Sequence, residues 1–526
     1  MILNCAPGDP SAGSGQADDD DVSPDDDTAL DDDTTPDDDA SPDDDDDDND
    51  FPEPVVTWAD CAGYFTAAER IYLPARLVCG TVNAPWNYDA VDDESIDVRF
   101  AVLPASGDSH GVLAVHLGGP DPNIRNLIIL GISPDGLLNR ELHENFDLLF
   151  VEVRGSLKST TPLVCPPEIF GASYDGPEQF RALVRQCLEA TAAAYDPARM
   201  TTIDSVRDLD RVRQALGVET MRLYGSSYGG KVMLEYLRRY EQRVVAYLLD
   251  SPLTPQMSGK HDFDRVLRTL AEDCALDADC PVAPEQIRPA TEQLLAQLED
   301  NPPLLGPTAL GVTDDLFHLG YWPDLLVYWP GLLVDALGGN LFGLRTWHLG
   351  VQLLLPPRHD LPTETDTFAY DPYSDNTMCI DFPGWNVQDG DDFVLRRLSP
   401  PYVSLDQLSW MCQISCDELA AVYQTEPAVD RTPVESDVPG LIVAPRFDED
   451  TPWTDITAAV DDGLTGAYLL PVLADHAVLL YLDNWWLGMG RGNRRCLRNL
   501  VRDWLIKPFD PALRPCNAAL TAPLDF

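Results

Sequence analysis

Short β-rich segments alternate with amphipathic helical patterns from Phe51 onward, and this alternation constrains the fold more than any other feature of the chain. Helical patterns cover, for example, residues 205–216 and 231–240. The predicted strands cover residues 96–103, 111–117, 148–153, 221–224, 244–249, 441–444 and 467–473. Strands connected through helices predict an α/β fold with a mostly parallel sheet that carries helices on both faces.

The alternation stops between Asp250 and Asp437. A long stretch rich in Trp, Leu and Pro intervenes there, and the strand pattern resumes at Gly440. The simplest interpretation is a large cap inserted into the sheet domain. We therefore predict four regions, which are a disordered Asp-rich leader (1–50), the first part of the core (51–253), the inserted cap (254–436) and the C-terminal part of the core (437–526).

The charge of the chain excludes one class of function. Among 526 residues there are 89 Asp and Glu against 35 Lys and Arg, for a formal net charge of -54. A protein that binds nucleic acid needs a basic surface to neutralise phosphates, so we expect no nucleic-acid partner. A membrane-spanning helix is excluded as well, since no window of about 20 residues is free of charged residues.

Twelve cysteines are many for a cytosolic enzyme, and several lie at short intervals that suit local disulfides. These intervals separate Cys61 from Cys79, Cys165 from Cys187, Cys274 from Cys280, and Cys496 from Cys516. They favour an extracytoplasmic protein. A zinc site would need a second close pair beside Cys412 and Cys416, so we expect no metal and no cofactor.

The amino terminus lacks a complete export signal, because Met1 to Asn4 is too short for a hydrophobic region. Cys5 precedes the acidic leader and is a candidate for the lipid-modified residue of a bacterial surface lipoprotein. The alternative is an unmodified cysteine in a secreted protein. Any membrane attachment is expected only through this lipid.

The chemistry begins at Gly225-Ser226-Ser227-Tyr228-Gly229-Gly230, which follows a predicted strand and precedes a predicted helix. This is the setting of a nucleophile elbow, in which the serine lies in a strained turn. Glycines flank Ser227 because side chains there would collide with the neighbouring strand and helix. The alternative is a tight structural turn with no catalytic role.

A nucleophilic serine needs a histidine as base and a carboxylic acid that orients it. In this kind of sheet the chain order is serine, then the acid, then the histidine. Of the five histidines after Ser227, only His476 follows the last predicted strand. Asp448 follows the strand before it and is our predicted acid. Asp450 is an alternative, and Asp250, at the end of an earlier strand, is a weaker one. Asp475 is more typical of a solvated residue.

An oxyanion hole requires backbone N–H groups aimed at the developing charge. Tyr228, directly after the serine, is predicted to supply one of them. The second is predicted to come from the loop His116-Leu117-Gly118-Gly119-Pro120, with Gly119 as the candidate. A simple turn is the alternative interpretation of these glycines.

Together these features resemble the α/β-hydrolase serine peptidases of the tripeptidyl aminopeptidase and prolyl iminopeptidase type. The similarity runs from Trp58 to Cys516 and rests on the following segments: Cys79-Gly80-Thr81, Ala84-Pro85-Trp86-Asn87-Tyr88, Gly118-Gly119-Pro120, Val153-Arg154-Gly155-Ser156, Gly225 to Gly230, Asp448 with Thr451-Pro452, His476, and the pair Cys496 and Cys516. The chain departs from the family pattern at Asp121-Pro122, Leu157 and Ala477, where glycines are expected.

The resemblance implies an α/β-hydrolase fold and an exopeptidase that cleaves peptides with a free N-terminus. Such an enzyme would need cap carboxylates for the substrate amine, for which Asp375 and Asp381 are two of many candidates, and apolar pocket residues, for which Trp322, Trp329 and Trp385 are candidates. Two other functions stay open. One is an esterase or lipase with the same catalytic residues, and the other is a non-catalytic surface protein on a hydrolase scaffold.

Overall fold

The computed structural model describes residues 51–90, 95–120, 123–128, 137–170, 172–257, 265–303, 306–318, 323–354, 377, 379–381, 405–422, 429–448, 450–451, 453–474, 476–479, 491–510 and 516. Leader residues 1–50, with Cys5, lie outside these ranges. So do Asp121, Pro122, Trp322, Asp375, Trp385, Pro452 and Asp475 among the residues named above.

The described strands form one sheet in the order β1-β2-β3-β5-β4-β6-β7-β8-β9. Their bounds are β1 Val56–Ala59, β2 Val78–Pro85, β3 Ser95–Leu103, β4 Val112–His116, β5 Asp147–Val151, β6 Met221–Ser226, β7 Val244–Asp250, β8 Gly440–Pro445 and β9 Ala467–Val472. Strands β1, β2, β3 and β5 pair antiparallel, and all pairs from β5 through β4 to β9 are parallel. The predicted mostly parallel sheet is confirmed.

The central parallel strands are buried almost throughout. All six residues of β8 are buried, as are six of the seven in β7. Such strands form from unbroken apolar segments because helices cover both faces. At the antiparallel edge, β1 exposes three of its four residues.

The helices are α1 His143–Asn145, α2 Gly176–Ala192, α3 Thr202–Ala215, α4 Tyr228–Tyr240, α5 Arg265–Cys274, α6 Ile287–Asp300, α7 Ala309–His318, α8 Pro323–Leu326, α9 Trp329–Leu337, α10 Phe342–Leu354, α11 Leu405–Val422, α12 Trp453–Gly463 and α13 Arg491–Ile506. Shorter 3-10 and π segments include Asn123–Asn126 and Leu138–Leu142. None of the helices in the described ranges is long and apolar enough to cross a membrane.

Two apolar clusters sandwich the sheet. One includes Val206 of α3, Val232 of α4 and Ile442 of β8. The other includes Leu497 and Trp504 of α13 together with Val443 of β8. Ile442 and Val443 are adjacent, so their side chains leave the strand on opposite faces and enter different clusters. The two clusters therefore show that helices cover both faces of the sheet.

Helices α5 to α11 lie in the chain between the neighbouring strands β7 and β8, and we call them the cap helices. They share an apolar cluster, to which Leu270, Leu295 and Trp329 belong. Helix α2, which lies outside the range 254–436, contributes Val184 and Leu188 to the same cluster.

Five disulfides link the described residues. Four are the short-interval pairs expected from the sequence: Cys61–Cys79, Cys165–Cys187, Cys274–Cys280 and Cys496–Cys516. The fifth joins Cys379 to Cys416 of helix α11. Disulfides of this number persist in oxidising compartments and indicate an extracytoplasmic protein. No group of residues that could bind a metal occurs in the part of the chain that the structure describes.

Candidate active site

Ser227 lies in the tight turn between β6 and α4. Its backbone has φ 55° and ψ -126°, a conformation that non-glycine residues adopt only where the surrounding structure enforces it. The Ser227 N–H donates to the Asp250 carbonyl oxygen at 3.0 Å, and the Leu253 N–H donates to the Ser227 carbonyl oxygen at 2.9 Å. Asp250 at the end of β7 and Leu253 in the segment after it therefore hold the turn from both sides.

The glycines around Ser227 are required for steric reasons. A Cβ atom on Gly229 would lie 2.0 Å from the His116 carbonyl oxygen, at the end of β4. A Cβ atom on Gly225 would lie 2.4 Å from the carbonyl oxygen of Gly229. Because neither backbone group can move away without breaking the sheet or the helix, the sequence keeps glycine at both positions.

Asp448 is fully buried in the loop after β8. Its Oδ1 atom accepts the backbone N–H groups of Asp450 at 2.9 Å and Thr451 at 2.8 Å, and its Oδ2 atom accepts the Thr451 hydroxyl at 2.5 Å. These bonds compensate for the loss of water around the carboxylate and define its orientation.

His476 follows β9, and its Nδ1 atom lies 3.0 Å from Oδ1 and 2.9 Å from Oδ2 of Asp448. The loop that carries His476 is attached to the end of β7. The Ala477 N–H donates to Ser251 Oγ at 2.8 Å, and the Leu479 N–H donates to Asp250 Oδ2 at 2.9 Å. Since the Ser227 N–H also bonds to Asp250, the serine turn and the histidine loop are both attached to Asp250.

The structure thus brings Asp448 to the imidazole of His476. Asp450 contributes its backbone N–H to Asp448. The carboxylate of Asp250 holds the backbone three residues beyond His476. Strands β4, β6, β7, β8 and β9 run parallel, so the loops after them meet at one edge of the sheet.

The loop after β4 reaches Ser227. We call residues 117–120 and 123–126 the β4 loop. A Cβ atom on Gly118, where φ is 103°, would lie 3.2 Å from the Ser227 Cβ and 3.8 Å from its Oγ. Gly119 follows with φ 113°. On the other side of the serine, Tyr228 is the first residue of α4, where backbone N–H groups have no acceptor within the helix.

Two buried aromatic side chains near this edge, those of His116 and Tyr228, are uncharged at neutral pH. Burial lowers the pKa of His116, at the end of β4, to about 4, so this imidazole is neutral at neutral pH. Its ring packs edge-on against Tyr228 with 5.7 Å between ring centroids. Burial also raises the pKa of the Tyr228 phenol well above its usual range. His116 precedes the serine in the chain, and its ring packs into the core.

Asp381 is anchored to the core helices. It is 2% exposed, and its carboxylate accepts the hydroxyl of Thr202, which also bonds to the Tyr228 hydroxyl at 2.8 Å. Lys231 Nζ donates to the Asp381 carbonyl oxygen at 2.8 Å. Trp329 is buried among the cap helices and donates to Thr291 Oγ1 at 3.1 Å, as a core residue does. Trp322 lies outside the described ranges.

Arg154 has a structural role. The buried guanidinium bonds to Asp208 through Nε at 2.9 Å and through Nη2 at 2.6 Å. It also donates to the carbonyl oxygens of Trp86 at 2.5 Å and Pro85 at 3.2 Å. Arg154 therefore ties the turn after β5 to the end of β2 and to α3. Sequence reasoning missed Asp208, whose only signal is an acidic residue on the buried face of a helix.

A family model described as the alpha/beta hydrolase fold matches residues 129–324. The chain has an α/β-hydrolase fold. It is 26% identical over 249 residues to the serine protease Hip1 of Mycobacterium tuberculosis, a match that covers 43% of this chain and 46% of that protein. It is 27% identical over 250 residues to a protein of the same species named carboxylesterase B, covering 44% of this chain and 47% of the relative.

A third relative is the tripeptidyl aminopeptidase of Streptomyces coelicolor, which is 25% identical over 218 residues, with 38% of each chain covered. The matches span less than half the length of these relatives. All three names denote hydrolases, and they divide between peptide and ester substrates.

Proposed function

We propose that this α/β-hydrolase protein is a serine hydrolase that removes N-terminal residues or tripeptides from peptides through an acyl-enzyme intermediate. One observation carries the proposal. The loop that carries His476, whose imidazole bonds to Asp448, is attached to Asp250, and Asp250 also accepts the N–H of Ser227 in its strained turn. A buried carboxylate bonded to an imidazole, on a loop attached to the same residue as such a serine, supports a catalytic triad.

In the proposed reaction, Ser227 Oγ attacks the scissile carbonyl carbon while His476 Nε2 takes the hydroxyl proton. The Asp448 carboxylate holds the proton on Nδ1 and stabilises the imidazolium that forms. The backbone N–H groups of Tyr228 and Gly119 stabilise the negative oxygen of the tetrahedral intermediate. His476 then protonates the leaving amine, and water hydrolyses the acyl-enzyme through the same steps.

Peptides are the favoured substrate class because two of the relatives are named as a serine protease and an aminopeptidase. An esterase is the second candidate, which the relative named carboxylesterase B supports. A non-catalytic role is disfavoured, because a purely structural protein has no need to keep His476 paired with a buried carboxylate. The proposed setting is extracytoplasmic, with a lipid on Cys5 as the proposed membrane attachment.

The catalytic assignment is tested by labelling with a serine-reactive phosphonate. The wild-type protein is expected to be labelled, whereas Ser227→Ala is not. Ser226→Ala is the matched control, since the buried Ser226 hydroxyl has no hydrogen-bond partner among the described residues. Labelling that survives in Ser227→Ala would overturn the assignment.

The substrate class is tested by comparing free and N-acetylated tripeptide amides with p-nitrophenyl esters. If the site recognises a free amine, acetylation removes a desolvated charge interaction that contributes about 2 to 5 kcal/mol, which corresponds to roughly thirtyfold to several thousandfold in kcat/KM. The preference should fade above the amine pKa of about 8. Equal rates on blocked and free peptides would reject the aminopeptidase and leave the esterase.

A further inference from the structure

Glu152 is a buried carboxylate that the proposed chemistry does not use. It directly follows β5 and is 2% exposed. Its Oε1 atom accepts the Asn123 N–H at 3.0 Å, and its Oε2 atom accepts the Ile124 N–H at 3.1 Å. Both N–H groups belong to the later part of the β4 loop, which follows Gly118 in the chain. A carboxylate that binds two successive N–H groups holds that piece of backbone in one orientation.

Further bonds hold the carboxylate itself. Oε1 also accepts the Val153 N–H at 2.9 Å and the Ser156 hydroxyl at 2.8 Å. The Glu152 N–H donates to the Arg99 carbonyl oxygen of β3 at 2.8 Å. Its own turn and the neighbouring strand therefore fix Glu152 independently of its bonds to the β4 loop.

The side chain of Asn123 also helps to attach the β4 loop to the sheet. Its Nδ2 atom donates to the Val115 carbonyl oxygen at 2.8 Å and to the Val151 carbonyl oxygen at 3.1 Å. These carbonyl groups lie at the ends of β4 and β5, where the two strands separate. Asn123 is thus held by Glu152 through its backbone and by both strands through its side chain.

We propose that Glu152 is a positioning residue that holds the β4 loop against Ser227 and so sets the place of the oxyanion-binding N–H of Gly119. The proposal rests on the proposed function of Ser227. Strand β4 fixes one end of the loop at His116, and Glu152 with Asn123 fixes the other. Gly118 and Gly119, which lie between these ends, have no side chains with which to anchor themselves.

The charge of Glu152 suits this role. Burial raises the pKa of Glu152 to about 7. The hydrogen bonds from Ser156, Val153, Ile124 and Asn123 lower the pKa and so offset part of the effect of burial. His116 lines the same small cavity of about 20 Å³ and is neutral, so it supplies no countercharge. Above pH 7 the ionised carboxylate accepts hydrogen bonds on both oxygens. A glutamine there would turn an amide N–H₂ towards one of the backbone N–H groups.

Glu152→Gln is therefore the deciding variant, with Glu235→Gln as its matched control. Glu235 is also a buried glutamate, but it bonds to Arg238 and Arg239 on α4, away from the β4 loop. At pH 8 we expect Glu152→Gln to lower kcat about 10- to 100-fold with less than a threefold change in KM, because oxyanion stabilisation acts in the transition state. Phosphonate labelling of Ser227 should slow by a similar factor, whereas Glu235→Gln should change neither rate by more than about threefold.

A folded Glu152→Gln protein with wild-type kcat and labelling rate would overturn the role of Glu152 alone. A wild-type protein that the phosphonate does not label at Ser227 would overturn the proposed function, and this inference with it. If Glu152→Gln does not fold, Asn123→Ser takes its place, since it removes the Nδ2 bonds to both strands. It is expected to lower kcat without raising KM, and an unchanged kcat in Asn123→Ser would again refute the proposal.

Discussion

Two buried carboxylates at the same edge of the sheet, Glu152 and Asp448, are built alike but bind different partners. Each accepts backbone N–H groups and one side-chain hydroxyl. The N–H groups on Asp448 come from its own loop, two and three residues further along the chain. Two of those on Glu152 come from a segment 28 and 29 residues earlier. Asp448 alone of the two has a described contact with an imidazole.

The difference shows how similar chemistry serves separate purposes. Asp448 is oriented by its own loop, so both of its oxygens can also approach His476 Nδ1. Its charge therefore acts on the imidazole proton. Both oxygens of Glu152 accept N–H groups from a segment that is distant in the chain, so its charge helps to position the β4 loop. We therefore expect replacement of Asp448 to impair proton transfer, and replacement of Glu152 to impair alignment.

The largest expected effect is that of Asp448→Asn. Loss of the carboxylate removes the group that keeps the His476 proton on Nδ1, and kcat is expected to fall about 10⁴-fold. Asp450→Asn is the matched control, because Asp450 serves Asp448 through its backbone, which the substitution leaves unchanged. Steady-state kinetics on folded variants measure both. A severe loss in Asp450→Asn with a harmless Asp448→Asn would show that the acid is misassigned.

Much of the fold could be predicted because the buried parallel strands are mostly apolar segments. The predicted ranges 221–224 and 244–249 correspond to β6 Met221–Ser226 and β7 Val244–Asp250. Strands β1 and β2 were not predicted. Most of β1 is exposed, so no apolar pattern marks it, and β2 contains Gly80, Asn83 and Pro85, which are typical of turns.

The candidate catalytic residues could be placed by chain order, because parallel strands end at a common edge. The residues that hold them could not be identified in this way. Glu152 and Asp250 bind backbone N–H groups from distant loops, and a sequence does not mark which N–H groups will lie nearby. Their shared signal is a carboxylate that ends an apolar strand, as after Phe150-Val151 and Leu248-Leu249.

A smaller effect is expected on the pH dependence of the free energy of unfolding, through the titration of Glu152. Burial raises the folded-state pKa of Glu152 from 4.5 to about 7. A raised pKa contributes stability that is complete below about pH 4.5 and is lost as pH rises through about 7. Compared with Glu152→Gln, which does not titrate, the wild-type free energy of unfolding should fall by about 2 to 3 kcal/mol between pH 4.5 and 8.

Urea unfolding of both proteins across this pH range measures the difference, and Glu178→Gln, at an exposed glutamate of α2, is the matched control. The same pH dependence in wild type and Glu152→Gln would mean that Glu152 titrates as it does in the unfolded chain. The carboxylate would then hold the β4 loop at no cost in stability.

The smallest expected effect is that of Ser251→Ala, which tests whether the histidine side of the site also depends on backbone attachment. The Ser251 hydroxyl accepts the Ala477 N–H at 2.8 Å, next to His476. Removing this acceptor leaves a buried N–H unsatisfied and frees one of the two bonds to the loop, so kcat should fall about tenfold, or about 1.4 kcal/mol. Thr254→Val is the matched control, because the buried Thr254 hydroxyl has no hydrogen-bond partner in the described ranges. A larger loss in Ser251→Ala than in Glu152→Gln would reverse the comparison, since alignment of the base would then depend more on its loop than oxyanion binding depends on Glu152.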